Sequence, residues 1–402
     1  MSARPSLEFF FFDAGGGHRS AATSLKKVIA EIYPGWDVTL VNLQDLLRPI
    51  DPFHRLLNIE SQNIYNQALK KGFTYGGTAI LTTLQTGIRY YRPKIEELLR
   101  RHWAQSAPDM VVSLIPNFNR VMFNALRAAR PDVPYVTIMT DIADCPPHFW
   151  QEPQEQFLIC GSAVAVQQAF SVGYNRDRVY QTSGMILKPG FYKPVTVDRR
   201  QKRQESGLDP DLPTALIMFG GNGSRDSIKI LARLRKAGLN VQTIVMCGHN
   251  KVLQRALQKY PACHAVGFTE NVADYMALAD FFIGKPGPGS VSEALHMGLP
   301  VIIEESLRTM PQERYNAVWV RENGLGIAVP SFSEIASAVA TMLDGETLSQ
   351  LRRKALALNN RALYEIPDMM ADILEKEGVV TSREILSSQT SPQNAYKVSP
   401  ST

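Results

Sequence analysis

The chain has 402 residues, 45% apolar and 20% charged, which is ordinary for a globular protein of two or three domains. Its net charge of +5 arises in the first half: residues 1–200 carry 22 Lys and Arg against 17 Asp and Glu, and the remainder carries 21 of each. That imbalance suits an anionic substrate, an anionic membrane surface or nucleic acid, as well as an ordinary solvated face. Cys145, Cys160, Cys247 and Cys263 show no CxxC spacing, which argues against a zinc or redox motif and fits reduced core thiols.

In chain order, "LEFFFFDA" reads as a buried strand, "RSAATSLKKVIAEIY" as a helix and "DVTLVNL" as a second strand. The apolar start is far shorter than the ~20 residues of a membrane span. It also lacks the charged start and cleavage site of a secretory signal. The expectation is a cytoplasmic chain without a transmembrane helix. Residues Phe53–Trp103 interleave Lys70, Lys71, Arg89, Arg92, Arg100 and Arg101 with Phe73, Tyr75, Tyr90, Tyr91 and Trp103. This excursion suits either a membrane interface or a packed helical insertion with a charged outer face. "DMVVSLI", "YVTIMTD", "QFLICGS" and "RVYQTSG" continue as strands, with "RVMFNALRAAR" as a helix among them. Alternating apolar strands and helices predict a parallel sheet covered on both faces.

The Pro-rich and charged stretch at 194–212 breaks the pattern and reads as a linker. "TALIMFGGNGS", "DSIKILARLRKAG", "VQTIVMCG", "FFIGKPGPGS" and "PVIIEES" then start a second run of the same kind. The expected architecture is two Rossmann-like α/β domains with parallel sheets, their strand C-termini facing a central cleft. Expected boundaries are 1–193, a linker at 194–212, and 213–365. A helix at 366–380 is expected to pack back on the first domain, with a disordered polar tail at 381–402.

Glycines at a strand end allow positive φ and close approach of a ligand to the backbone. The following helix N-terminus favours an anion. Gly15, Gly16 and Gly17, with Ser20 at the helix start, form such a loop, although a plain tight turn uses the same residues. GxGxxG spacing is absent and Asn42, not an acid, ends the second strand. No GK[ST] follows, so dinucleotide and Walker loops are both excluded. His18 at this spot is either a general base or a histidine satisfied by a neighbouring carbonyl.

"GKPGPGSVSEALHMGLPVII" (Gly284–Ile303) is the more specific stretch. Ser290 stands at an N-cap position with Glu293 at the capping-box spacing. Alternatively, Glu293 accepts both hydroxyls of a ribose while the loop holds a diphosphate. Gln312, Glu313 and Asn316 suit sugar hydroxyls or a solvated helix start. "FGGNGS" (Phe219–Ser224) adds another glycine loop.

"DAGGGHRSAA", "YVTIMTDIADCPPHFW", "MFGGNGS", "MCGHNKVLQ", "VGFTENVADYMALAD", "GKPGPGSVSEALHMGLPVII" and "PQERYN" occur in an order that resembles GT-B glycosyltransferases. Most similar is the group of monogalactosyldiacylglycerol synthases and processive diacylglycerol glucosyltransferases, family 28-like, over about residues 8–345. The resemblance implies inverting transfer from a UDP-sugar to a membrane-lipid hydroxyl such as that of diacylglycerol. Carried over by position, Gly267 and Phe268 border the uracil, and Glu293 binds the ribose. Gly287, Gly289 and Ser290 face the diphosphate, and Gln312, Glu313 and Asn316 hold the sugar. Gly221, Asn222 and Lys285 complete the donor side. His18 is the favoured base and Asp141 the second candidate. No metal and no other cofactor are expected, because a helix dipole and Lys or Arg can stabilise the departing UDP. The implied partners are the UDP-sugar, the lipid and an anionic membrane surface bound peripherally, without nucleic acid. No oligomeric state is implied. Arg314 and Tyr315 stand where the group has small residues, and "CPPHFW" carries an extra proline pair. Alternative readings are a polyprenyl-linked or soluble acceptor, and a silent sugar-nucleotide sensor.

Overall fold

The computed structural model describes residues 4–13, 16–50, 77–196, 198–306 and 309–381. Gly15, the first half of the basic-aromatic excursion up to residue 76 and the tail from 382 lie outside the described residues. The chain divides into two compact units, residues 1–189 with 360–402, and residues 190–359.

The first unit is built on six parallel strands: β1 (Ser6–Phe11), β2 (Asp37–Asn42), β3 (Met110–Ser113), β4 (Tyr135–Ile138), β5 (Phe157–Cys160) and β6 (Val179–Gln181). Their order is β2-β1-β3-β4-β5-β6. Strands β3, β4 and β5 are buried along their whole length, which is why they read as mostly apolar runs, with Ser113 and Thr137 as the polar exceptions. Chain progression reverses between β1 and β3, and such a switch point opens a crevice beyond the strand C-termini.

The helix Gly17–Ile32 follows β1 because Ala21, Ala22, Leu25, Val28 and Ile29 recur on one face and are buried there. It stops before Pro34, as the residue preceding a proline disfavours helical backbone. The helix Ala362–Lys376 belongs to this same unit and lies against Gly17–Ile32. It buries Leu363, Ile366, Met370, Ile373 and Leu374. Tyr33 donates to Asp368 at 2.7 Å, Tyr180 donates to Asp372, and the Ser183 N–H donates to Glu365 at 2.7 Å.

The second unit carries β7 (Thr214–Met218), β8 (Gln242–Gly248), β9 (Cys263–Gly267), β10 (Phe281–Gly284), β11 (Val301–Glu304) and β12 (Gly326–Val329). All neighbouring pairs are parallel, in the order β9-β8-β7-β10-β11-β12. This is the 3-2-1-4-5-6 order of doubly wound nucleotide-binding sheets, with its switch point between β7 and β10. At that point a Cβ on Gly284 would stand 2.5 Å from the Met218 carbonyl oxygen, so only glycine fits.

The stretch expected as a linker is part of this unit. It contains the helix Arg199–Glu205, capped by Asp198, whose carboxylate accepts the Gln201 N–H at 3.0 Å. Arg203 is buried and donates to the carbonyls of Leu278, Pro210 and Leu212 and to Asp280 at 2.8–3.1 Å. Asp280 also accepts from Arg199 and from the Thr214 N–H. Burial works against the Asp280 charge, but the Arg199 guanidinium and the other donors outweigh it and hold its pKa below the usual carboxylate range. Of the charges in this stretch, Arg199 and Arg203 are taken up by Asp280, whereas Arg200 and Lys202 remain on the surface.

Replacing Asp280 with Ala should therefore lower stability by about 3 kcal/mol, because a buried guanidinium loses its counter-ion. Arg200→Ala, which removes only an exposed pair with Asp211, should leave the denaturation midpoint unchanged. Urea unfolding of the two variants checks the contrast.

Candidate functional site

Each unit gathers sequence-predicted residues at the C-terminal edge of its sheet. In the first, Gly16 takes the left-handed conformation (φ 81°) at the N-cap of Gly17–Ile32, and no side chain among the described residues caps the helix. Ser20 lies one turn inside, its N–H donating to the Gly16 carbonyl at 3.1 Å. Asp13 pairs with Arg19 at 2.7 Å across the loop.

His18, in the first turn, is partly buried, with Nδ1 3.1 Å from the Thr140 hydroxyl. Burial pushes its pKa down from 6.5 to about 4, against a hydrogen bond with the Leu114 backbone that favours the charged form. Leu114 follows β3 and Thr140 lies just beyond β4, so the imidazole is fixed by the ends of two strands.

Trp150 stands beside it, the ring centres 6.0 Å apart. Its indole N–H donates to Asp141 at 2.8 Å. Asp141 lies three residues beyond β4, buried beneath this contact rather than at the strand end. Asp144 fixes the loop that delivers Trp150: its carboxylate accepts the backbone N–H groups of Trp150 at 2.6 Å and His148 at 2.8 Å. Burial raises the Asp144 pKa, and these donors oppose the rise.

In the second unit, the helix Pro288–His296 follows β10. Its N-cap is Gly287, with Pro288 at the first helical position, so Ser290 is not the N-cap expected from the sequence. Proline at that position gives up no needed N–H and brings a helical φ, which sets the start three residues earlier. The Ser290 hydroxyl instead donates to the Gly287 carbonyl at 3.3 Å, and Glu293 lies too far along the helix for a capping box. Glu293 is half-buried. Gly289 has open space where a Cβ would project among the described residues.

Gln312 and Glu313 form a 3-10 turn ahead of the helix Arg314–Glu322, and both are half-buried. Asn316 is fully buried and donates to the Pro286 carbonyl at 2.6 Å, tying this turn to the glycine loop. The Lys285 ammonium lies 3.2 Å from the Glu313 carboxylate. Arg314 donates to the Thr309 carbonyl at 3.1 Å.

Gly221 and Asn222 are exposed in the turn after β7. The Gly221 carbonyl accepts the His249 N–H at 2.9 Å, and a Cβ on Gly248 would collide with that carbonyl. Gly267 ends β9, and Phe268 beyond it is 57% exposed. The Phe268 ring stacks on His249 at 4.1 Å and 15°. Sequence reasoning gave no role to Thr140, Trp150, Asp144 or His249. Their signal was only their place within quoted stretches, because side-chain contacts between separate loops leave no spacing pattern. A proton NMR titration of the His18 ring should show it neutral at pH 7 with a midpoint near 4; a midpoint near 6.5 would mean a water-exposed ring.

Residues 217–371 match the model of the glycosyltransferase family 28 C-terminal domain. A probable monogalactosyldiacylglycerol synthase 2 of Oryza sativa subsp. indica is 30% identical over 394 residues, covering 93% of this chain and 80% of that protein. The corresponding probable synthase of Glycine max is 30% identical, covering 86% of this chain and 67% of its own. Among solved structures, the calicheamicin glycosyltransferase CalG4 aligns with a TM-score of 0.58 at 16% identity, covering 95% of this chain and 100% of that one. Anabaena Alr3699/HepE in complex with UDP-glucose aligns with a TM-score of 0.53 at 14% identity, covering 92% and 99%. These two show the GT-B fold. The rice relative, matched along most of both chains, fixes the family: the chain belongs to the monogalactosyldiacylglycerol synthase group of family 28 glycosyltransferases.

Proposed function

We propose that the protein transfers a hexose from a UDP-sugar to the hydroxyl of a membrane lipid such as diacylglycerol, with inversion at the anomeric carbon. The observation that carries the reading is the convergence of Lys285, Gly287, Ser290, Glu313 and Asn316 at one helix N-terminus beside the β7/β10 switch point. A diphosphate at that N-terminus gains the helix dipole and the Lys285 charge, and so does the UDP leaving group. Gly289 and Gly221 give a ligand open backbone to approach. Glu293 takes the ribose hydroxyls, Gln312, Glu313 and Asn316 the sugar, and Phe268 with Gly267 the uracil.

His18 is the proposed base. Held neutral by burial, it can accept the acceptor's proton as the oxygen attacks the anomeric carbon opposite UDP. Its low pKa makes it a weak base in the ground state, so it acts only as the hydroxyl becomes acidic during attack. No metal is assigned a role in this chemistry.

Peripheral association is proposed from the helix Gly77–Ser106. Tyr90 is 79% exposed there, beside Tyr91, with the Lys94 ammonium 5.9 Å from the Tyr91 ring centre. Aromatic rings beside cations suit an anionic interface. No helix among the described residues is long and apolar enough to cross a membrane.

Purified protein incubated with UDP-glucose or UDP-galactose should release UDP only when diacylglycerol-containing anionic vesicles are present. Release with vesicles lacking diacylglycerol would point to water or another acceptor. His18→Ala should cut transfer at least ~100-fold while UDP affinity survives. Glu293→Ala should weaken UDP binding itself, and unchanged affinity would remove the ribose role.

A further inference from the structure

The Lys285–Glu313 pair lies directly over the donor loop. A Cβ on Gly287 would stand 3.4 Å from the Lys285 side chain and 3.5 Å from the Glu313 carboxylate. The partners differ in setting: the Lys285 side chain is 50% exposed, that of Glu313 only 13%. Lysine is a mobile point charge on a flexible stem, free to change partners. Glu313 is fixed by the turn that its own N–H closes on the Met310 carbonyl at 2.9 Å, and by the bond from Asn316 to Pro286.

We infer that this ion pair is an exchangeable lock on donor recognition, an inference that rests on the donor-site reading above. Without ligand, Lys285 neutralises Glu313 and occupies its carboxylate. A diphosphate arriving at the N-terminus of Pro288–His296 carries more charge than one carboxylate and adds the helix N–H groups, so it takes Lys285. Glu313 is then released as a pure acceptor with free lone pairs, the form that reads sugar hydroxyls. Sugar recognition thus follows diphosphate binding, and a free hexose meets an occupied carboxylate. Glu313 lowers affinity for the bare nucleotide in exchange for reading the attached sugar.

The test is a calorimetric cycle with UDP and UDP-glucose on wild type, Glu313→Gln, Lys285→Met and the double variant. Glu313→Gln frees Lys285 in advance, so it should bind UDP about 2- to 5-fold tighter than wild type, the range set by one partly exposed ion pair. It should also lose the preference for UDP-glucose over UDP. In the Lys285→Met background the same change should leave UDP affinity unaltered, because no lysine remains to be released. Glu313→Asp, which keeps the charge, should behave as wild type and guards against misfolding as the cause.

A Glu313→Gln variant that binds UDP no tighter overturns the exchange. So does an equal gain in the Lys285→Met background, which would reflect only the loss of a nearby negative charge. Wild-type protein that binds no UDP at all overturns the donor-site reading and the exchange with it, and is separable from the other two results.

Discussion

The second unit is organised around a contact with no room for a side chain. Gly284 ends β10 directly against the Met218 carbonyl at the end of β7, where the strand order reverses. Because the two strands approach this closely, the loops they feed start side by side. One is the Phe219–Ser224 turn; the other is the Lys285–Gly287 run into the helix Pro288–His296. The rest of the donor side is fastened to that pair. Asn316 reaches the second loop through the Pro286 carbonyl, and His249 reaches the first through the Gly221 carbonyl. Both fastenings use main-chain carbonyls, and the exposed side chains at the same edge engage one another: Lys285 pairs with Glu313 and Phe268 stacks on His249.

The first unit solves a different problem, which is to keep a histidine uncharged. It does so by enclosure. Thr140 and Leu114 hold the imidazole from two strand ends, and Trp150 stands alongside. Trp150 is itself set by buried carboxylates, Asp144 on its backbone and Asp141 on its indole. Both carboxylates accept from N–H groups of the loop that carries Trp150, and in that way they organise the pocket. A directly paired carboxylate would favour the imidazolium and undo the low pKa.

Much of this was legible before the fold was known. The apolar runs ending in glycine marked the switch-point strands, and their β-α alternation fixed the parallel sheets, since both signals are local. The helix start at Pro288 was missed because Ser290 and Glu293 satisfy a capping pattern equally well, and only the proline's fixed φ decides between them. The stretch at 194–212 was misread because partnering by Asp280 happens across ~80 residues and cannot be seen in composition. Trp150 was visible as an aromatic, but its service to His18 depends on a loop folded by Asp144.

The second unit is an insertion. The chain leaves the first unit near residue 189 and returns at Asn360, whose side chain donates to the Met185 carbonyl at 2.8 Å beside Gly184. The helix Ala362–Lys376, with its buried Ile366, Met370 and Ile373, closes the first unit only after the whole of the second has been made. During synthesis on a ribosome, the half that carries His18 therefore emerges early and finishes late. Until then, the surface that the returning helix covers, including Tyr33 and the face of Gly17–Ile32, stays open. The donor unit is continuous in sequence and has no such wait. Order of manufacture and order of completion are thus reversed, and the half proposed to meet the lipid is the last to acquire its full core.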